Sequence, residues 1–139
     1  MKTDRHLIST IVLACTLAPA TAGESPQSLL DFYANEAKAS DPGFSRFSAE
    51  RGEHLFRTNF STGKPDTPSC TTCHTKDPRK TGQTRAGKDI EPMAGSVNPK
   101  RYSDHEKTEK WLGRNRNNVL GRGCTATEKG DFITFMLAQ

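Results

Sequence analysis

The stretch Cys70-Thr71-Thr72-Cys73-His74 decides how this 139-residue chain folds. Two cysteines separated by two residues and followed directly by a histidine form the pattern that marks covalent attachment of a c-type haem. Each cysteine sulfur would add to one haem vinyl group, and the adjacent histidine would be the proximal ligand of the iron. Cys70, Cys73 and His74 are therefore the candidate binding residues for one covalent haem c.

Two other kinds of site use a similar pair of cysteines. A thioredoxin-like dithiol lies between a strand and a helix, and no strand pattern precedes Cys70. A zinc site needs four ligands, and only Cys124, His54 and His105 could complete it. Haem attachment explains the motif better, because it takes place outside the cytoplasm and the chain begins with an export signal.

The first 22 residues are typical of a secretory signal. Lys2 and Arg5 precede a mostly apolar segment, 7–17, and the small residues 20–22 provide a cleavage site. We expect residues 1–22 to be a signal peptide that is removed, which leaves one domain, 23–139, in the periplasm. The apolar segment is too short for a membrane anchor, whereas lipoprotein processing at Cys15 is an alternative.

Composition limits the classes of function. Hydrophobic residues make up 32% of the chain, and 20 basic against 16 acidic residues give a net charge of +4. Because the acidic residues are interleaved with the basic ones, we expect no binding to nucleic acid. So few large apolar residues would bury little surface by themselves. We therefore expect a bound group to fill the centre of the domain.

The secondary structure is predicted to be all-α, since no segment shows a convincing strand alternation. Four helices are expected, at 28–39, from about 48, at 103–113 and from 125 onward. The last two would begin with capping boxes, Ser103 with Glu106 and Thr125 with Glu128. Residues 75–101 contain six glycines and prolines and should be mostly irregular.

The segment 49–56 resembles the N-terminal helix of class I cytochromes c, in which a glycine and an aromatic residue let that helix cross the C-terminal helix closely. The resemblance implies a small class I cytochrome c fold, with short helices and loops around one covalent haem. It also implies that Gly52 and Phe56 meet Phe132 or Phe135.

The ligand on the face of the iron opposite His74 would decide the function, because a strong ligand makes an electron carrier and a weak one lets small molecules bind. The candidates are Met93, Met136, His54, His105 and Asn115. Met93 lies in a loop only 19 residues after His74, which is short for a chain that must cross the haem. Met136 is expected in the core and the histidines at the surface, and Asn115 follows the expected helix end at Gly113 as a turn residue.

Three segments, 63–74, 84–88 and 109–115, are similar to the sphaeroides haem protein family of small, exported, monohaem cytochromes c. The resemblance implies that Asn115 is the distal haem ligand and leaves on reduction, so that oxygen, nitric oxide or carbon monoxide can bind ferrous iron. A hard, neutral amide suits ferric iron better than ferrous iron. The resemblance also implies that the redox partner is another cytochrome. A dihaem cytochrome c and a membrane cytochrome b are the partners it suggests.

Two other functions stay open. A simple electron shuttle would keep a permanent sixth ligand, for which Met93 is the best candidate. An enzyme would turn over oxygen or nitric oxide at the haem, although no general acid or base can be assigned near the iron from the sequence.

The chain departs from the family after Asn115. The family typically has a cysteine there, bonded to a second cysteine near the start of the last helix, whereas this chain has Arg116 and only Cys124. Without that disulfide we expect Asn115 to be held less firmly, and Cys124 to be either inert or in an intermolecular disulfide. Arg114, Arg116 and Arg122 are expected to form a solvated face or a docking patch for an acidic redox partner.

Overall fold

The computed structural model describes residues 25–139. The predicted signal peptide, 1–22, lies outside the described residues. The elements in chain order are α1 (Pro26–Ser40), α2 (Ala49–Arg57), α3 (Thr71–His74), β1 (Gly82–Gln83), β2 (Asp89–Ile90), α4 (His105–Leu120) and α5 (Ala126–Leu137). None of these helices is both long and apolar enough to cross a membrane.

The helices predicted at the two ends of the domain are both present, as α1 and α5. Side-chain caps explain where each of them begins. At the start of α1, Ser25 and Ser28 form a reciprocal capping box, and Pro26 occupies the first helical position. This helix therefore begins two residues before the prediction. The capping box of Thr125 with Glu128 is present at the start of α5, as predicted.

The helices α2 and α5 cross in close contact, as the class I resemblance implied. At Gly52 the backbone of α2 lies directly against the carbonyl of Asp131, and an added Cβ would lie 2.9 Å from the Cβ of Phe135. The ring of Phe56 lies 6.3 Å from that of Phe132 and 5.8 Å from that of Phe135, centroid to centroid. The expected contacts of Gly52 and Phe56 are confirmed.

An ion pair between the exposed Arg51 and the buried Asp131 holds the same crossing. The Asp131 carboxylate is only 4% exposed. It accepts hydrogen bonds from Nε and Nη2 of Arg51 at 2.7 and 2.8 Å and from the backbone N–H of Ser48 at 2.7 Å. A bidentate contact between a guanidinium and a carboxylate fixes direction as well as distance. The Arg51–Asp131 pair therefore sets the position of α2 along α5.

Helix α1 is attached to α4 and α5 through one half-buried network. The hydroxyl of Tyr33 donates to Glu109, and Nζ of Lys129 donates to both carboxylate oxygens of Glu109 at 2.9 Å. The same ammonium lies 5.1 Å from the centre of the Tyr33 ring. Burial, and then the hydrogen bond to Glu109, raise the pKa of Tyr33 far above its ordinary value. This tyrosine therefore stays protonated and keeps donating.

A pair of short strands was not predicted. The strands β1 and β2 are antiparallel, with Gly82 opposite Ile90 and Gln83 opposite Asp89, and Gly87 makes the turn at a φ of 77°. Strands of two residues are too short to show an alternating pattern, which explains the omission. The domain is nevertheless built from helices, as the predicted all-α class requires.

The predicted boundaries of α4 were wrong at both ends. Its N-cap is Asp104, whose carboxylate accepts from the N–H of Lys107 at 2.8 Å, so the expected capping box at Ser103 does not form. The helix runs past Gly113 and ends at Leu120. Gly121 is its C-cap and takes the left-handed conformation at a φ of 68°. Only the later glycine has this C-terminal geometry.

The C-terminal end of α4 is extended by the loop that precedes the Cys-x-x-Cys-His motif. The carbonyls of a last helical turn have no partner within the helix. Here the backbone N–H of Lys64 donates to the Asn118 carbonyl at 2.6 Å, and the Thr62 hydroxyl donates to the Leu120 carbonyl at 2.7 Å. These bonds explain why the helix does not stop at Gly113.

Two glycines offer a matched test of this packing. We expect Gly52→Ala to lower the free energy of unfolding by about 3 kcal/mol, because its methyl group would overlap the backbone of Asp131. We expect Gly113→Ala to raise it by about 0.5–1 kcal/mol, because the residue is helical and has open space around it. Denaturant unfolding of the three proteins measures both changes, and equal effects would contradict the assigned crossing.

Candidate haem-binding site

One helical turn presents the three motif residues together. Cys70, Cys73 and His74 are related as i, i+3 and i+4, positions that share one side of a helix. The N–H of His74 donates to the Cys70 carbonyl at 3.0 Å and closes the turn. Cys70 makes no side-chain cap. Instead the buried Ser69 hydroxyl accepts from the N–H of Thr71 at 3.0 Å and leaves both thiols uncommitted.

The backbone directly after the motif is tightly constrained. Thr75 has a φ of 62°, a left-handed conformation that a β-branched residue rarely adopts. Its hydroxyl donates to the Asp77 carbonyl at 2.7 Å and helps to hold that turn. At Gly82 the strand β1 touches the motif, since an added Cβ would overlap the Cys73 carbonyl and lie 3.0 Å from Cα of His74.

His74 is poised as a neutral ligand. Burial, and then the charge of Arg101, lower the pKa of His74 to about 4. A neutral imidazole is the form that ligates metals. Its Nδ1 atom is buried and has no hydrogen-bond partner among the described residues. Burial also raises the pKa of the Cys70 thiol. Two thiols one turn apart beside a neutral imidazole fit a covalently held haem.

The surrounding interior is apolar, which suits a porphyrin. One cluster of buried side chains joins the helices and the loop 75–101, and Cys70 and Cys124 pack against it. Its members are Leu29, Tyr33, Leu55, Phe56, Met93, Tyr102, Leu112, Leu120, Phe132, Ile133, Phe135 and Met136. The Cys70 side chain therefore lies against the hydrophobic core of the domain.

The sulfur candidates for the sixth ligand are both buried. Met93 is 8% exposed. Its N–H donates to the Pro78 carbonyl at 2.8 Å, and its own carbonyl accepts from the Tyr102 hydroxyl at 2.9 Å. Met136 is wholly buried in α5, as expected of a core residue. Met93 thus belongs to the interior that receives the haem.

The histidine candidates lie away from this interior. His54 is exposed on α2. His105 packs edge-on against Phe32, with ring centroids 4.2 Å apart, where α1 meets α4. Neither histidine joins the buried cluster. The expectation that His54 lies at the surface holds, whereas His105 is half-buried against an aromatic ring.

Asn115 lies inside α4 and not in a turn, which corrects the expected position. The helix continues for five residues beyond it, to Leu120. Position 115 falls three residues after the buried Leu112 and four before the buried Val119, so by helical register it belongs to the same face as these two residues. The rigid backbone of a helix therefore carries the candidate distal ligand.

Arg116 overturns the expected arginine patch. It is 3% exposed, its Nη1 donates to the Sγ of Cys124 at 2.8 Å, and its guanidinium lies 4.2 Å from the centre of the Phe132 ring. Arg114 is exposed, and Arg122 pairs with Glu128 at 2.7 Å. The three arginines therefore do not form one solvated face.

Sequence reasoning missed Arg116 because arginines are usually exposed. A signal was present, since the residue follows the apolar Leu112 by four positions and so shares its helix face. The contact with Cys124 closes the segment 116–124 without a covalent bond. Burial raises the pKa of the Cys124 thiol while Arg116 opposes the rise, so this cysteine has a specific partner within the chain.

Most of the described residues match one family model. Residues 42–136 match a family described as a domain of unknown function, DUF1924. The chain is 50% identical to the cytochrome c-type protein SHP of Cereibacter sphaeroides over 136 residues, which are 97% of this chain and 98% of that protein. It is 31% identical to cytochrome c'' of Methylophilus methylotrophus, over the whole chain and 95% of that protein.

Solved structures agree with these similarities. Oxidized SHP, described as an oxygen-binding cytochrome c, superposes with a TM-score of 0.77 at 47% identity, over 85% of this chain and 100% of that one. A solution structure of cytochrome c'', described in terms of haem-ligand detachment, gives a TM-score of 0.70 at 32% identity, over 82% of this chain and 93% of that one.

The contact at Gly82 predicts a defect in haem attachment. We expect Gly82→Ala to push β1 away from α3 and to reduce the fraction of protein that carries covalent haem, because the added methyl group would overlap the backbone of Cys73. Gly123→Ala is the matched control, since nothing lies near that position. Mass spectrometry of the purified proteins measures attached haem, and equal fractions would contradict the assigned contact.

The Arg122–Glu128 pair predicts a pH-dependent contribution to stability. Hydrogen bonds from Arg122 hold the pKa of Glu128 at about 2, against the opposing effect of burial. This carboxylate therefore stabilises the fold above pH 4.5, its ordinary pKa, and the contribution is lost as the pH falls towards about 2. We expect Glu128→Gln to cost about 1 kcal/mol at neutral pH and progressively less in acid.

Denaturant unfolding across that pH range measures the effect of Glu128→Gln. The exposed Glu36 provides the matched control, and Glu36→Gln should change stability little at any pH. A cost that stays constant between neutral pH and about pH 2 would exclude a role for the Glu128 charge.

Proposed function

Since this chain belongs to the family of the cytochrome c-type protein SHP and carries one covalent haem c, we propose that it is an exported electron-transfer cytochrome whose distal ligand, Asn115, is released on reduction. Cys70 and Cys73 hold the haem through thioethers, and His74 is the proximal ligand. When bound, the haem would supply an iron that can change oxidation state and exchange a ligand. The neutral imidazole of His74, with its Nδ1 atom buried and unpaired among the described residues, is the observation that carries this assignment.

The chemistry of an amide supports the release of Asn115. A neutral carboxamide is a hard donor that prefers ferric to ferrous iron. Asn115 would therefore bind the reduced iron more weakly and would give way to a diatomic molecule such as oxygen, nitric oxide or carbon monoxide. The helical register of position 115, on the same face of α4 as Leu112 and Val119, is consistent with this role. One similar protein is described as oxygen-binding and another in terms of haem-ligand detachment.

Export and partners complete the proposal. We expect the protein to act in the periplasm after removal of residues 1–22. Its electron donor is another cytochrome, and a dihaem cytochrome c and a membrane cytochrome b are the partners that the family suggests. Steady consumption of oxygen or nitric oxide beyond one equivalent per haem would instead identify an enzyme.

A permanent methionine ligand is the second candidate, because Met93 is buried in the apolar cluster against which Cys70 packs. Its backbone is anchored on both sides, to Pro78 and Tyr102. A soft thioether would hold ferrous iron well, so the protein would then be a simple electron shuttle. The two candidates predict different spectra for different variants.

We expect Asn115→Ala to abolish the six-coordinate, low-spin ferric spectrum, because the iron loses its distal ligand, while the ferrous protein still binds carbon monoxide. Asn117→Ala is the matched control, since Asn117 is exposed two positions further along α4. Met93→Leu should also leave the ferric spectrum low-spin. Absorption and electron paramagnetic resonance spectra of the ferric proteins measure the outcome.

The opposite pattern would replace the proposal with the shuttle. In that case Met93→Leu would lose the low-spin signal and Asn115→Ala would retain it. The ferric spectrum of Asn117→Ala should be unchanged in both cases. This control shows whether a substitution in α4 disturbs the spectrum merely by altering the helix.

A further inference from the structure

The guanidinium of Arg116 carries a buried charge that the chain does not neutralise. No carboxylate of residues 25–139 lies within ion-pair distance of it, and its one hydrogen bond goes to the Cys124 thiol. Its Nη2 atom is fully buried and has no partner among the described residues. A buried charge without a counter-charge is costly. The residue is therefore expected to meet an acceptor that the chain itself does not supply.

The position of Arg116 places that charge in the interior that receives the haem. It follows the proposed distal ligand directly in α4, and its guanidinium lies against Phe132 of the buried cluster. Cys70, one of the two haem-attaching cysteines, packs against the same cluster. Arg116 thus faces the haem pocket and not the solvent.

We propose that Arg116 forms an anion site in this pocket, in which its free Nη2–H group donates to a small inorganic anion that binds beside Asn115 or displaces it. A guanidinium N–H and an anion form a charge-assisted hydrogen bond, which is roughly twice as strong as a neutral one. The proposal deepens the proposed function by naming a ligand class, and it needs an iron whose distal position can be vacated. Azide is the probe for this class, and nitrite has the same charge.

The test compares an anion with a neutral ligand on the ferric holoprotein. Azide and imidazole are titrated at about pH 8, where imidazole is mostly neutral, and the Soret band reports the occupancy of the iron. We expect Arg116→Gln to weaken azide binding about tenfold or more, the loss expected for one charge-assisted hydrogen bond. Imidazole affinity should change less than about twofold. The reduction potential should also fall, because a buried positive charge favours ferrous iron.

Matched variants separate the charge from other effects. Arg114→Gln removes an exposed arginine from the same helix and should leave both affinities unchanged. Arg116→Lys keeps the charge and should keep most of the azide preference. Cys124→Ala removes the thiol partner but not the guanidinium, so azide binding should persist.

A competition measurement on the unaltered protein covers the case in which Arg116→Gln does not fold. Nitrate ligates haem iron poorly but would occupy an anion site. At constant ionic strength we expect nitrate to weaken azide binding and to leave imidazole binding unchanged. If nitrate affects neither ligand, or if Arg116→Gln weakens azide and imidazole equally, the guanidinium serves the haem or the fold alone and the anion site is refuted.

The same titrations separate this inference from the proposed function. If azide and imidazole both bind normally but neither Arg116→Gln nor nitrate selectively weakens azide, only the anion site would be overturned. Absence of binding by both ligands, together with no response of the ferrous protein to carbon monoxide, would overturn the exchangeable distal position and the anion site with it.

Discussion

The spacing of two thiols and an imidazole over a single helical turn is the constraint on which the rest of the structure depends. It fixes Cys70, Cys73 and His74 on one side of α3 and requires the chain on either side to leave that face open. The sequence meets this requirement with Ser69 as the cap, a left-handed residue at Thr75 and the absence of a side chain at Gly82. The hydrophobic core then forms around the motif.

The motif is also connected to the helix that bears the proposed distal ligand. The loop that leads into Cys70 caps the end of α4 through Thr62 and Lys64. The contact of Arg116 with Cys124 holds that helix to the start of α5. The proximal and distal sides of the site are thus joined by short hydrogen bonds, and a change at one side can reach the other through rigid backbone.

Local patterns in the sequence predicted much of this arrangement. The haem motif, the crossing at Gly52 and Phe56, and the capping box at Thr125 depend on neighbouring residues or on a familiar helix contact, and each was identified. The end of α4 was not, because the bonds that extend it come from residues more than fifty positions earlier in the chain. The burial of Arg116 was missed for a similar reason, since its thiol partner lies on another element.

The central claim is that the iron is held firmly on the side of His74 and loosely on the other. Reduction of the holoprotein without oxygen, followed by addition of carbon monoxide, tests it most directly. The account predicts a clear shift of the Soret band and one carbon monoxide bound per haem. An unchanged spectrum would mean that the reduced iron keeps a permanent sixth ligand, and the account would be wrong.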